Sequence, residues 1–145
     1  MTLQNLLGVS LAEITPDRAT IARLLAAATR NIADSQLAAL SAENRFDAAY
    51  KAIMQLSITA LHANGFRTLT SKPGHHQTAI QSLTKTIGIA SGQVVVLDAL
   101  RKQRNLSDYS GDTVPESAVA ECVSCAIALN QDLRTWLKKH HPALL

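Results

Sequence analysis

Apolar positions recur at helical spacing along almost the whole chain. The clearest run lies between Ser41 and Gly65, where Phe46, Ala49, Tyr50, Ile53, Ser57, Ala60 and Leu61 form one stripe. Ser41 is placed to cap its start and Gly65 to stop it. Upstream, the pattern predicts a short first helix near Leu3 to Ile14. "TPDR" then supplies a cap and a first-turn proline for a second helix, in which Ile21, Leu24, Leu25, Ala28 and Ile32 keep the period to about Leu40. Downstream, "FRTLTSKPGHH" reads as a loop, and Ile80, Leu83 and Ile87 resume a short helix that ends at Gly88. Ser91 opens a long helix closed by the loop "YSGDTVPES", whose Pro115 is placed to begin the last helix. That helix carries Val119, Cys122, Ala126, Leu129, Leu133, Trp136 and Leu137 before fraying through "KKHHPALL". With no repeat, low-complexity tract or linker, the expected fold is all-α: one domain over residues 1–145, an up-and-down bundle of four to five helices.

Within the Ser91 helix the pattern changes chemistry without changing period. Val94 and Leu97 are followed on the same stripe by Arg101, Arg104 and Asp108, so charges stand where a core would continue. If that stripe faces the bundle, the guanidinium groups need partners or a wet cleft, because an unpaired buried charge costs several kcal/mol. A rival stripe of Val96, Leu100, Gln103 and Ser107 would turn both arginines outward, and spacing alone leaves the rotation open. Arg104 and Asp108 are four apart, close enough to pair, and an exposed pair of that kind is worth only about 0.5 kcal/mol or less.

Composition supports the helical reading. Five aromatic residues in 145, against abundant alanine and leucine, favour close-packed helices over sheet. A formal charge of +3 is too small to imply a phosphate-tracking surface by itself. The N-terminal stretch has no cation before its apolar residues and is too short and polar to span a bilayer, so neither signal peptide nor membrane segment is expected and a cytoplasmic location is the default. Cys122 and Cys125 form a CxxC inside an apolar helical pattern, without a second pair or spaced histidine, and read as a buried pair. No metal site and no cofactor are expected. Tyr50 and Trp136 read as core, His62 as partly buried, and His140 and His141 as solvated beside Lys138 and Lys139.

"RNLSDY" after an apolar helix, together with "ALHANGFRTLTSKPGHHQTAIQSL" upstream, resembles the HEPN family of small helical domains. In many members a long helix precedes a Gly-His-His loop, and an Arg-Asn-x-x-Asp-Tyr or Arg-Asn-x-x-x-His motif closes a later helix. The likeness runs from about Phe46 to Trp136. It implies an up-and-down bundle that dimerises with the motif near a shared cleft, often beside a nucleotidyltransferase-like or antitoxin partner in toxin–antitoxin or defence modules. Catalytic members look like metal-independent ribonucleases in which arginine holds the phosphate and histidine moves the proton. Arg104 and Asn105 match the start of that motif, but Tyr109 stands where the histidine would be, and a phenol with a pKa near 10 is a poor base at neutral pH.

The reading that follows is a non-catalytic HEPN-type module. In it Arg101, Arg104, Asn105, Asp108 and Tyr109, with Lys72, His75 and His76 from the Gly-His-His loop, bind nucleotide or RNA phosphate, hold a protein partner or organise a homodimer seam. The alternatives are a metal-independent ribonuclease, with Arg104, His75, His76 and Tyr109 as candidate catalytic groups, and a purely structural helical adaptor.

Overall fold

The computed structural model describes residues 2–145. It is a helical bundle whose long members are α1 (Arg18–Asp34), α2 (Ala42–Ala63), α5 (Ser91–Ser110) and α6 (Glu116–His140). The short helices α3 (His75–Gln81) and α4 (Leu83–Thr86) lie between α2 and α5. α2 is the centre: more than half of its residues are buried, from Phe46 to Ala63, because α1 and α6 cover it from two sides while α3, α4 and α5 cover its remaining flank. The buried side chains form one contiguous core cluster drawn from every helix.

The caps follow the chemistry of the sequence. Ser41 begins α2 and its hydroxyl accepts from the Asn44 amide at 3.2 Å. α1 starts two residues later than "TPDR" suggests. Its cap is Asp17, whose carboxylate accepts from the Thr20 amide at 3.0 Å and the Thr20 hydroxyl at 2.6 Å, and Pro16 stands outside the helix. The Asp17 amide in turn donates to His62 Nε2 at 2.9 Å, which ties the start of α1 to the end of α2.

Several expectations are corrected. The segment from Leu3 to Ile14 is not a helix. A 3-10 turn over Gln4–Leu6 ends at the extended Leu7, Gly8 follows at a φ of +76° that a right-handed helix excludes, and the chain continues as strand β1 (Leu11–Glu13). Its partner β2 (Phe66–Thr68) lies in the segment expected to be a loop, with Leu11 opposite Thr68 and Glu13 opposite Phe66 in antiparallel register. Gly65, at φ +88°, sets up the pairing: its carbonyl accepts from the Ile14 amide at 2.9 Å. α1 stops at Asp34, not near Leu40, because the Ser35 hydroxyl turns back to the Ile32 carbonyl at 2.6 Å and the next apolar residue, Leu37, points into solvent. The helix expected from Ile80 to Gly88 is interrupted at buried Ser82, whose hydroxyl donates to the Ala79 carbonyl at 2.7 Å. The C-terminal tail is not frayed, since α6 runs to His140 and a 3-10 turn follows over Pro142–Leu144. His140 is exposed and His141 half-buried, and their rings lie 4.9 and 5.2 Å from the Trp136 ring. Among the described residues no helix is long and apolar enough to cross a membrane.

Candidate functional site

The rotation of α5 decides where its charges go. Val94, Leu97 and Leu100 are all buried, so the inward line of the helix passes between the two rival stripes and continues into Arg101 and Arg104. Beyond Leu100 no residue of α5 is fully buried. The two arginines occupy the edge of the core, with side chains 16% and 30% exposed.

Each guanidinium meets a carboxylate of its own chain. Arg101 Nε donates to Asp98 Oδ1 at 2.8 Å, and Lys102 Nζ lies 3.7 Å from the other oxygen of Asp98. Arg104 reaches back toward α2, where its Nε sits 3.3 Å from Asp108 and 3.6 Å from Asp47. Asp47 is too distant for a hydrogen bond and Asp108 is poorly aligned for one, so the buried Nε makes none although it is within ion-pairing distance of both. The guanidinium carbon of Arg104 stands over the Tyr50 ring, 5.3 Å from its centroid.

Tyr50 joins this charged edge to the Gly-His-His loop. Its ring is buried, and its hydroxyl is 3.1 Å from His76 Nδ1. Burial pushes the phenol up to about 12, against the opposing pull of Arg104 and Arg101. His76 is held below the usual histidine range, first by burial and then by repulsion from His75, Arg104 and Arg101. With the phenol protonated and the imidazole neutral, the two share one hydrogen bond whose direction follows the tautomer of the ring. His75 stands edge-on to His76, 4.7 Å between ring centroids.

α2, α3 and α5 thus bring together Tyr50, Asp47, His75, His76, Asp98, Arg101, Arg104 and Asp108. Tyr109 is not among them. It is 91% exposed on the outer side of α5, so its phenol is turned away from the arginines. Asn105 lies on the same outer flank, beside Lys102, Leu106 and Tyr109. Lys72 is exposed in the loop before α3. Sequence reasoning missed Tyr50, Asp47 and Asp98 as members of the site. Asp98, three residues before Arg101, carried a visible signal in its spacing, whereas Tyr50 and Asp47 reach Arg104 only through the packing of α2 on α5.

The charges of the cluster cancel. Arg101, Lys102 and Arg104 are matched by Asp47, Asp98 and Asp108, and the small cleft beside Arg104 is lined by Glu43, Asp47 and Asp108. A phosphate entering there would meet carboxylates first. Cys122 and Cys125 are buried. The Cys122 thiol is raised to about 12 and the Cys125 thiol is raised as well, in both cases by burial first, so neither is a ready thiolate. Among the described residues no three histidine, cysteine or acidic side chains gather as a metal site requires.

The two perturbed histidines make stability depend on pH. His62 is depressed by burial, as His76 is, and it accepts the Asp17 amide through Nε2, which protonation would abolish. In the unfolded chain both take up a proton as pH falls through about 6.5, while the folded chain resists until a lower pH. The stability these neutral rings provide is complete above about pH 6.5 and is lost as pH drops through their folded values. Urea melts between pH 7.5 and 5 should show a falling midpoint, with a smaller fall in His76→Gln; equal midpoints at both ends would contradict the assignment.

No family model, curated protein or solved structure matches the chain.

Proposed function

We propose that the chain is a non-catalytic helical binding module of the HEPN type that acts by holding a protein partner. Its charged cluster fixes the rotation of α5 and does not serve as a phosphate grip. The observation that carries this reading is the contrast between the two sides of α5. On the inner side every arginine is answered by a carboxylate of the same chain. On the outer side Val95, Leu106 and Tyr109 stand 68%, 64% and 91% exposed. Nature rarely leaves large apolar side chains in line on one helix face unless something covers them. The resemblance supplies partners of the nucleotidyltransferase-like or antitoxin kind, or a second copy.

Binding of phosphate is the direct competitor and can be measured. Anisotropy titrations with labelled single-stranded RNA, and calorimetry with a nucleoside triphosphate, at about 50 and about 200 mM salt should give no saturable signal beyond weak, salt-labile contact. Saturable binding that Arg104→Ala abolishes would replace this reading with the phosphate-binding one.

A ribonuclease reading keeps one specific support: His76 is held neutral, as a base must be, and lies near enough to Arg101 and Arg104 for both to depress it. Incubation with RNA in excess chelator separates the two. Cleavage lost in both His76→Gln and Arg104→Ala would establish the enzyme, and intact RNA from pH 6 to 8 would remove it.

A further inference from the structure

Asn64 and Gly65 form the only Asn-Gly pair in the chain. In such a pair the glycine nitrogen carries no neighbouring side chain and can attack the asparagine carboxamide. A bond forms from the glycine N to Cγ, and ammonia leaves with the amide proton. The resulting five-membered succinimide takes up water at either carbonyl, giving aspartate or the backbone-lengthened isoaspartate. The fold opposes each part of this closure. Asn64 is the C-cap of α2 with a ψ of 1°, which turns the Gly65 nitrogen to the side of Asn64's own amide and away from its Cβ. The Gly65 N–H, whose proton must be lost, donates to the His62 carbonyl at 3.0 Å. The carboxamide nitrogen, which must leave, donates to the Ala60 carbonyl at 2.8 Å and to the Thr86 carbonyl at 3.3 Å.

The same amide is a structural link. Ala60 lies on α2 and Thr86 ends α4, so Asn64 ties the C-terminus of α2 to the point where the chain leaves α4 for α5. Beside it, the Gly65 carbonyl accepts from the Ile14 amide at 2.9 Å and begins the pairing of β1 with β2. A carboxylate at position 64 has no proton to give. It would set its charge against two carbonyl oxygens, at the end of a helix whose dipole already disfavours an anion. Isoaspartate fits no better, since its extra backbone methylene comes between α2 and the glycine that starts the pairing. The seam has no bond to spare: the Thr86 hydroxyl, 3% exposed, has no hydrogen-bond partner among the described residues.

We propose that Asn64 is a spontaneous modification site, kept in its amide form by the native fold, whose conversion to aspartate or isoaspartate separates α4 and the start of α5 from α2. The reaction needs only water and proceeds when this junction opens, so the product is a permanent record of local opening. Thr86 leads through residues 87–90 into α5, and the change therefore acts on the placement of that helix without touching its charged cluster. The proposal is independent of what α5 binds.

Incubation of the full chain in mildly alkaline buffer, followed by peptide mapping with mass spectrometry and enzymatic methylation of isoaspartate, reads the reaction. Conversion at Asn64 should be at least about tenfold slower in native buffer than in denaturing urea, and should quicken in urea too dilute to unfold the whole chain. Two variants read the consequence. Asn64→Asp puts one product in place, whereas Asn64→Ala removes the two hydrogen bonds without adding charge. Asn64→Asp should have the lower urea midpoint of the two, and its amide hydrogen exchange should speed up in α4 and the first turn of α5 while α6 keeps its protection. Equal conversion rates in native buffer and urea, or no conversion in either, would overturn the proposal. So would an Asn64→Asp chain that unfolds no earlier than Asn64→Ala or exchanges no faster at α4.

Discussion

Tyr50→Ala is expected to destabilise the fold by about 3 to 5 kcal/mol, the cost of emptying a large buried ring site, and to loosen three helices together. The ring is 2% exposed in the middle of α2, beneath Arg104 from α5, with its hydroxyl on His76 from α3. Removing it takes away the packing of the core, the aromatic face under the guanidinium and the hydrogen bond between its hydroxyl and His76. Tyr50→Phe separates these contributions. It keeps the ring and the cation above it and loses only the hydroxyl, so it should cost about 1 kcal/mol. Chemical denaturation of the two variants reads the difference directly. If Tyr50→Phe proved as damaging as Tyr50→Ala, the hydrogen bond would outweigh the ring and this account of the site would fail.

The second large effect is an asymmetry within an ion pair. Asp98 and Arg101 are each 16% exposed, between the regime of surface pairs, worth about 0 to 1 kcal/mol, and that of buried pairs, where stranding one partner costs about 3 to 5. Asp98→Ala strands Arg101 beside His76 and Arg104 with no counter-charge and should cost about 2 kcal/mol, between those limits. Arg101→Met removes the buried cation, keeps the apolar stem and leaves Asp98 within reach of Lys102, so it should cost less than about 1 kcal/mol. The same asymmetry should appear in the His76 titration followed by NMR. Losing Asp98 unmasks Arg101 and lowers the His76 midpoint further, whereas losing Arg101 raises it. Equal costs for the two substitutions would mean that the pair is solvated and that α5 does not depend on it.

These effects bear on function through one geometric fact. The charged cluster sets which side of α5 faces the bundle and, by doing so, which side is left over. Had the rival stripe of Val96, Leu100, Gln103 and Ser107 been fully buried, the arginines would be solvent cations open to phosphate. Instead Val94, Leu97 and Leu100 are buried together, and the arginines close on their own carboxylates. The exposed face with Val95, Leu106 and Tyr109 is the complement of that choice.

Much of the architecture was determined by the sequence alone. Each long helix announces itself through apolar periodicity and local caps, and both are short-range: Ser41 with Asn44, Asp17 with Thr20, Gly111 at the end of α5. The burial of the cysteine pair followed from the same periodicity, and so did the core positions on α2 and, apart from the partly exposed Trp136, on α6. What local pattern could not supply was pairing between distant segments. β1 and β2 are three residues each and lie more than fifty positions apart, so their only strong signal is the hydrogen bonding that each provides for the other. The helix expected at the N-terminus yielded to that pairing. The site divides in the same way. Arg101, Arg104 and Asp108 were visible as charges on a core stripe, because they are neighbours on one helix. Tyr50, Asp47 and His76 joined them only when α2 and α3 packed against α5, and Tyr109, one residue past Asp108, was carried about 100° around the helix to the opposite surroundings. Spacing determines which residues share a face, while the direction of that face is a property of the whole bundle, fixed by which rotation buries the most apolar surface without stranding a charge.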